Sequence, residues 1–455
     1  MMKKIVFPIL WVVSVFMLGG CSSDDEPEVT VNPFDIMSDS NNDGRNKIVV
    51  ISDLHLGADL TYSETVNHLN RLEQFLNEVR SSATIKELVL NGDIFDEWYV
   101  PTRTNTYGDG SQAHFIRKTV AANQRIFDLF NAIIKDGKIK LTYIPGNHDM
   151  GFTAKNVDIA MPGVNQARDS NEKFGIGTYH PDGYPEIAIE HGHRYDFFSA
   201  LTPGANESEA PDATLPPGYF FARIAANSFT DPTTPEAATK VPIIPEKDQS
   251  NPEQYSKYVY YSLWKYVMEK VIYVKDNFSD NIIKTNVGNF TKTYSINDVL
   301  PYSAPDGSIQ MKLYNGLFTQ THWSERLKYN NAIVMTDINK AIKGSLETEF
   351  IDAQSQVQYF HNKLSEVRVV VFGHTHLPMI KSYTNLDNKP CVYANSGTWE
   401  DRKTRDKNAV IDQDVINMNF VTIYPVQGNK DRMQVALYQY KYGKHMLVSN
   451  KEVDL

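Results

Sequence analysis

The chain has 455 residues, 41% hydrophobic and 22% charged, with a formal charge of -10. That length allows a large core and two or three domains, and the composition excludes a disordered chain. An acidic balance without a Lys/Arg run also argues against a general nucleic-acid binder, whose affinity would come from cations neutralising phosphates.

Taken in order, residues 1–21 read as a targeting segment. Lys3 and Lys4 precede an apolar run from Ile5 to Leu18, too short for a comfortable membrane span, and Leu18-Gly19-Gly20-Cys21 is a small-residue cleavage site. The segment resembles a bacterial lipoprotein signal with its lipobox. That resemblance implies a lipidated Cys21, a membrane attachment through it and an exported protein of the cell envelope. Only Cys391 remains, so no intramolecular disulfide is expected, and this residue is read as apolar filling of a strand. Residues 22–46, rich in Ser, Asp, Asn and Glu, read as a flexible linker. Asp39, Asn41 and Asp43 there match half a calcium loop, but its twelfth position is Val50 rather than Glu, which favours linker.

Strand candidates then alternate with helices. Lys47 to Ser52 leads into Asp53-Leu-His55, and Thr61 with Glu64 suggests a capping box for a helix with Leu69, Leu72, Phe75, Leu76 and Val79 on one face. Glu87 to Leu90 runs into Asn91-Gly92-Asp93, and one helix is expected from about Ala113 to Asp136, ending at Gly137. The apolar run ending at Pro145-Gly146 delivers Asn147, His148 and Asp149, and Glu186 to Glu190 enters His191-Gly-His193. This rhythm predicts a layered α/β domain with reactive loops gathered at one sheet edge. From about Tyr195 to Glu366 it breaks, with one clear helix carrying Tyr260, Trp264, Val267, Val271 and Val274; its tyrosines are explained by packing. His322, Trp323 and Arg326 are singled out there as side chains that could reach a phosphate or base. Alternation resumes at Val367 to Phe372, which leads to Gly373-His374-Thr-His376, and strands are expected at Cys391 to Ala394, Asn417 to Tyr424 and Met433 to Tyr440. The simplest organisation is a catalytic domain over 47–195 and 367–455, interrupted by a cap or lid over 196–366.

The loops present Asp53, His55, Asp93, Asn147, His148, His191, His374 and His376. Carboxylate, imidazole and amide oxygen together suit a borderline divalent metal, and there are too many groups for one ion. Two ions sharing Asp93 use them all, and paired metals serve in-line attack on phosphorus. His191 and His193 are alternatives for one ligand position.

Asp53-x-His55, Gly92-Asp93-x-x-Asp96, Gly146-Asn147-His148-Asp149, His191 and Gly373-His374-x-His376, in that order, resemble the motif set of the calcineurin-like metallophosphoesterases. The resemblance implies a four-layer α/β sandwich, two packed mixed sheets flanked by helices. It implies two divalent ions, manganese, iron or zinc. Asp53, His55, Asp93 and His376 are expected on the first ion, and Asp93, Asn147, His191 and His374 on the second. A hydroxide between the ions is the implied nucleophile, and His148 the implied catalytic partner. Asp149 and Asp96 are expected to orient imidazoles. Asn91-Gly-Asp-Ile-Phe-Asp-Glu-Trp98 is locally similar to the UDP-diacylglucosamine hydrolases, although this chain reads as exported and its segment between His191 and His374 is far longer. The function expected is hydrolysis of a phosphomonoester, diester or pyrophosphate, on a small or lipid-linked substrate outside the cytoplasm. A surface scaffold lipoprotein and an exported nuclease are the competing readings.

Overall fold

A computed structural model describes residues 32–34, 44–169, 175–334, 336–345, 347, 349–403 and 409–455. The signal segment, its lipobox and the calcium-like stretch lie outside the described residues. Among the described residues no helix is long and apolar enough to cross a membrane.

Twelve strands frame the site: β1 Lys47–Ile51, β2 Ile85–Asn91, β3 Lys140–Ile144, β4 Asn165–Gln166, β5 Thr178–Tyr179, β6 Ile187–Glu190, β7 Val369–Phe372, β8 Met379–Thr384, β9 Pro390–Asn395, β10 Asn419–Val426, β11 Asn429–Lys441 and β12 Lys444–Asp454. They form a seven-stranded sheet ordered β12-β11-β10-β1-β2-β3-β4 and a five-stranded sheet ordered β8-β9-β7-β6-β5. β1 to β4 run parallel, as do β6, β7 and β9, while β8 and the β10–β12 meander are antiparallel. β1, β6 and β7 are near-continuous apolar runs because both of their faces are covered.

Side-chain alternation then sorts each run into two cores. Ile48, Val50, Val369 and Val371 meet between the sheets. Val49 and Ile51 point the other way, to a core shared with the helices α1 Leu69–Ser81, α2 Gln112–Ala122 and α3 Gln124–Asp136. Val370, Phe372 and Tyr393 point outward from the second sheet, onto Phe197, Tyr219, Tyr260, Trp264, Phe318 and Trp323. Two packed mixed sheets with helical layers on both outer faces are the architecture expected from the sequence.

Several local expectations change. The helix expected from Ala113 to Asp136 is two, broken at Asn123, whose side-chain amide donates to the carbonyls of Gly57 and Thr119. Thr61 and Glu64 cap nothing: α1 begins at Leu69, and the Asp401 carboxylate accepts from the amides of Val66, Asn67 and His68, supplying the N-terminal cap from the far end of the chain. Part of the linker is docked. Phe34 is buried against Phe75, Phe420 and His445, and its carbonyl accepts from Ser82 Oγ at 3.0 Å.

The segment 196–366 holds more helices than the one expected, including α4 Gly218–Thr230, α5 Pro252–Lys270 and α6 Gln320–Tyr329. Its aromatic residues are packing groups: Tyr260, Trp264 and Trp323 are buried in the core that covers the second sheet, as is Cys391. Burying each such side chain contributes roughly 1.5–3 kcal/mol. Removing the segment would expose Val370, Phe372 and Tyr393.

Candidate metal centre

The parallel strands end at one edge, and the loops leaving β1, β2, β3, β6 and β7 meet there. Asp53, His55, Asp93, His374 and His376 all have positive φ, from 44° to 68°. Non-glycine residues adopt that region at a cost and persist in it only where their surroundings force them to, most often at functional sites. Two motif glycines are needed for close approach. A Cβ on Gly146 would sit 2.1 Å from Asp93 Oδ1, and one on Gly92, itself at φ 83°, would sit 2.3 Å from the His191 ring.

These loops are cross-tied. His148 N donates to Asp93 Oδ1 at 2.8 Å, and His374 N donates to the Asp53 carboxylate at 3.2 Å. Asp53 Oδ1 lies 3.1 Å from His376 Nε2 and 3.9 Å from both His55 Nε2 and His191 Nε2. Asp93 Oδ2 lies 3.1 Å from His191 Nε2 and 3.8 Å from His55 Nε2. Ligand atoms of Asp53, His55 and His376 form one cluster within 4.8 Å, those of Asp53, Asp93 and His191 another, and those of His55, Glu64, Asp96 and His148 a third; His374 joins none of the three. Asp93 thus stands between imidazoles expected on different ions, as a shared ligand must, and Asp53 reaches the first two clusters as well.

His55, His191 and His376 turn Nε2 inward to Asp53, and each of the four imidazoles has a nitrogen held from behind. His55 Nδ1 meets Asp96 Oδ2 at 3.0 Å, His191 Nδ1 the Asn91 carbonyl at 2.8 Å, His374 Nε2 Asp196 Oδ2 at 3.2 Å, and His376 Nδ1 Glu400 Oε2 at 3.1 Å. Such partners fix the tautomer and orientation of a metal-binding histidine. Burial works against charge on His191, but Asp93 and Asp53 overcome it and push its pKa up to about 9. Burial likewise opposes ionisation of Asp93, yet the imidazoles of His191 and His148 hold its carboxyl well below the usual carboxylate range.

The donor set fits divalent cations. Both amide atoms of Asn147 are buried with no hydrogen-bond partner among the described residues, and Asp93 Oδ2 and His191 Nε2 face each other at 3.1 Å. Buried polar groups ordinarily have such partners, and ions satisfy these without one. His148 is placed differently. Its Nδ1 is 2.7 Å from Asp96 Oδ1, and its ring stacks on Trp98 at 4.9 Å. Trp98 rests in turn on Tyr219 of α4, whose neighbour Arg223 donates to the carbonyls of Val100, Pro101 and Thr104. The outer segment therefore buttresses the loop that carries Asp96.

One expected role changes. Among the described residues Asp149 bonds to no imidazole: Oδ1 accepts from Gly146 N at 2.6 Å and Oδ2 from Ile94 N at 2.9 Å. It staples two loops, and Asp96 meets both His55 and His148, with Glu64 also 3.2 Å from His55 Nδ1. His191, not His193, joins the clustered ligand atoms; His193 is buried beside it, with both ring nitrogens lacking a hydrogen-bond partner among the described residues. His322 and Arg326 line a separate cavity of about 280 Å3, in which none of the expected ligands takes part, and Trp323 is buried in the core. Sequence reasoning missed Asp196, Glu64 and Glu400. Glu400 alone had a signal, following a stretch, Asn395-Ser-Gly-Thr398, that reads as a turn and a site wall.

Residues 46–227 match the family model described as calcineurin-like phosphoesterase. No curated protein matches the chain. The fold, the buried His/Asp clusters and this match define a metal-dependent phosphoesterase, a hydrolase of a family that works with two divalent ions. Residues 46–227 thus carry a calcineurin-like phosphoesterase domain.

Proposed function

We propose that Asp53, His55, Asp93 and His376 hold one divalent ion, that Asp93, Asn147, His191 and His374 hold the second, and that the protein hydrolyses a small or lipid-linked phosphoester in the cell envelope. The observation that carries this reading is the placement of two buried carboxylates between inward-turned imidazoles, each backed by its own acceptor. Ions bound there supply Lewis acidity, lower the pKa of water and neutralise phosphoryl charge.

The chain's own groups do the rest. Asp96 keeps His148 Nδ1 occupied, so proton exchange with a leaving oxygen falls to Nε2. Burial lowers the His148 pKa despite the nearby Asp96 charge. Trp98 fixes the plane of the ring. Asp149 holds the loop carrying Asn147 and His148 against the loop carrying Asp93. The layers around the site exclude bulk water, which strengthens every charge interaction within it.

Elemental analysis of the purified protein, with a screen of mono-, di- and pyrophosphate esters, tests the reading. Two ions per chain and turnover of one ester class are expected; absence of bound metal, or no turnover by a fully loaded protein, overturns it. The lipobox at Cys21 supports the envelope location. A Cys21→Ser variant that still partitions with membranes removes that support.

A further inference from the structure

Glu400 does more than its contact with His376 requires. It is 4% exposed, and Oε2 lies 3.1 Å from His376 Nδ1, which is enough to orient that ring. The other oxygen, Oε1, lies 3.3 Å from His55 Nε2 and is buried with no hydrogen-bond partner among the described residues. Nε2 is the edge of His55 that faces Asp53 and Asp93, whereas Asp96 and Glu64 face the opposite edge at Nδ1. A carboxylate oxygen beside the inward edge of an imidazole stands where a cation shared with that imidazole would bind.

The backbone keeps it there. Glu400 N donates to Thr398 Oγ1 at 3.1 Å, Thr398 Oγ1 donates to the Asp53 carbonyl at 3.0 Å, and the Glu400 carbonyl accepts from Asn417 Nδ2 at 2.7 Å. Glu400 is thus tied to the loop that carries Asp53 and His55.

Resting on the two-ion reading above, we infer that Glu400 is an additional protein ligand, through Oε1, of the ion held by Asp53, His55, Asp93 and His376. That shell then has two imidazoles and three carboxylates. Zinc favours four ligands in a tetrahedron, whereas an oxygen-rich shell of five, with a sixth position left for solvent or substrate, suits octahedral manganese or ferrous iron. Glu400 therefore sets metal preference as well as ring orientation.

The test uses the full-length protein, stripped of metal and reloaded with manganese or zinc separately. Stoichiometry is read by elemental analysis, and paired manganese by its spin-coupled resonance spectrum. Loss of a partner that only positions a histidine costs roughly 10- to 100-fold in metal affinity, and Asp196→Asn provides that reference on His374. Glu400→Gln can still accept from His376 Nδ1, so a positioning role survives it. The expected result is manganese weakened more than in Asp196→Asn, zinc weakened much less, and the paired-manganese spectrum replaced by that of a single ion. Equal losses of both metals, or loss of neither, overturn the inference. Should Glu400→Gln fail to fold, Glu400→Asp keeps the charge but withdraws the oxygen, and the same change in preference decides. A wild-type protein that binds no divalent ion sinks the two-ion reading itself, whereas a wild type with two ions and an unchanged Glu400→Gln variant sinks only this inference.

Discussion

The two ends of the proposed metal centre are built from the same residue types and supported differently. At one end the imidazoles of His55 and His376 are backed by carboxylates, Asp96 and Glu400, with Glu64 also 3.2 Å from His55 Nδ1. At the other, His191 is backed by a neutral carbonyl and His374 by one carboxylate, Asp196. Negative charge behind an imidazole raises its basicity, and hence its hold on a cation. The first end should therefore keep its ion longer under chelation, and the second should exchange first.

The largest effect that can break this asymmetry removes the residue common to both ends. Asp93 Oδ2 stands within 3.8 Å of an inward nitrogen from each. Asp93→Asn should lose both ions and at least on the order of a thousandfold in activity, since two metals supply several kcal/mol of charge stabilisation. Metal content unchanged in that variant shows the two ends to be independent. Next in size is His148, which stands outside both shells. His148→Ala should keep both ions, lose about 10²- to 10⁴-fold on an alkyl phosphate and far less on a nitrophenyl phosphate, whose leaving oxygen needs little protonation. Equal losses on the two substrates assign it to charge stabilisation instead.

Smaller effects sharpen the comparison. Asp96→Asn and Asp196→Asn each remove a backing carboxylate, and each should weaken one ion by roughly 10- to 100-fold. Asp96 also holds His148, so its loss should slow turnover even when metal is saturating, whereas Asp196→Asn should be rescued by added metal. If added metal rescues both variants alike, Asp96 has no part beyond His55.

The inward-facing half of this design is legible in the sequence and the backing half is not. Asp53, His55, Asp93, Asn147, His191, His374 and His376 each lie in a loop that leaves a strand, so local pattern brings them to one edge. Asp196 supports a histidine 178 positions away, and no local pattern encodes such a contact. Glu64 spaced three from Thr61 imitates a capping box, yet the true cap of α1 is Asp401, more than 330 positions distant. The same contrast holds for the two outer layers. Helices α1 and α3 on the first sheet show a 3.6-residue stripe because one face is wet, whereas in the 196–366 segment burial on several sides blurs the period, as in α5 and α6.

The smallest expected effect concerns His193, and it tests which histidine of His191-Gly-His193 belongs to the second end. Spacing alone leaves both open. The left-handed turn at Gly192, φ 102°, lets the chain reverse between them, since a Cβ there would meet the Phe372 ring at 2.8 Å. His191 is thereby aimed at Asp93, and His193 enters a short helical turn with its ring 5.4 Å from that of His191 and 6.3 Å from that of His374. That is close enough to shape the pocket, but His193, unlike His191, is not among the clustered ligand atoms, and among the described residues it has no acceptor behind it as His374 has in Asp196. His193→Ala should accordingly keep two ions with unchanged resistance to a chelator, while His191→Ala loses the second ion. Loss of an ion from His193→Ala with retention in His191→Ala would exchange their roles, and the weakly backed end of the centre would then have to be redrawn around an imidazole with no acceptor behind it among the described residues.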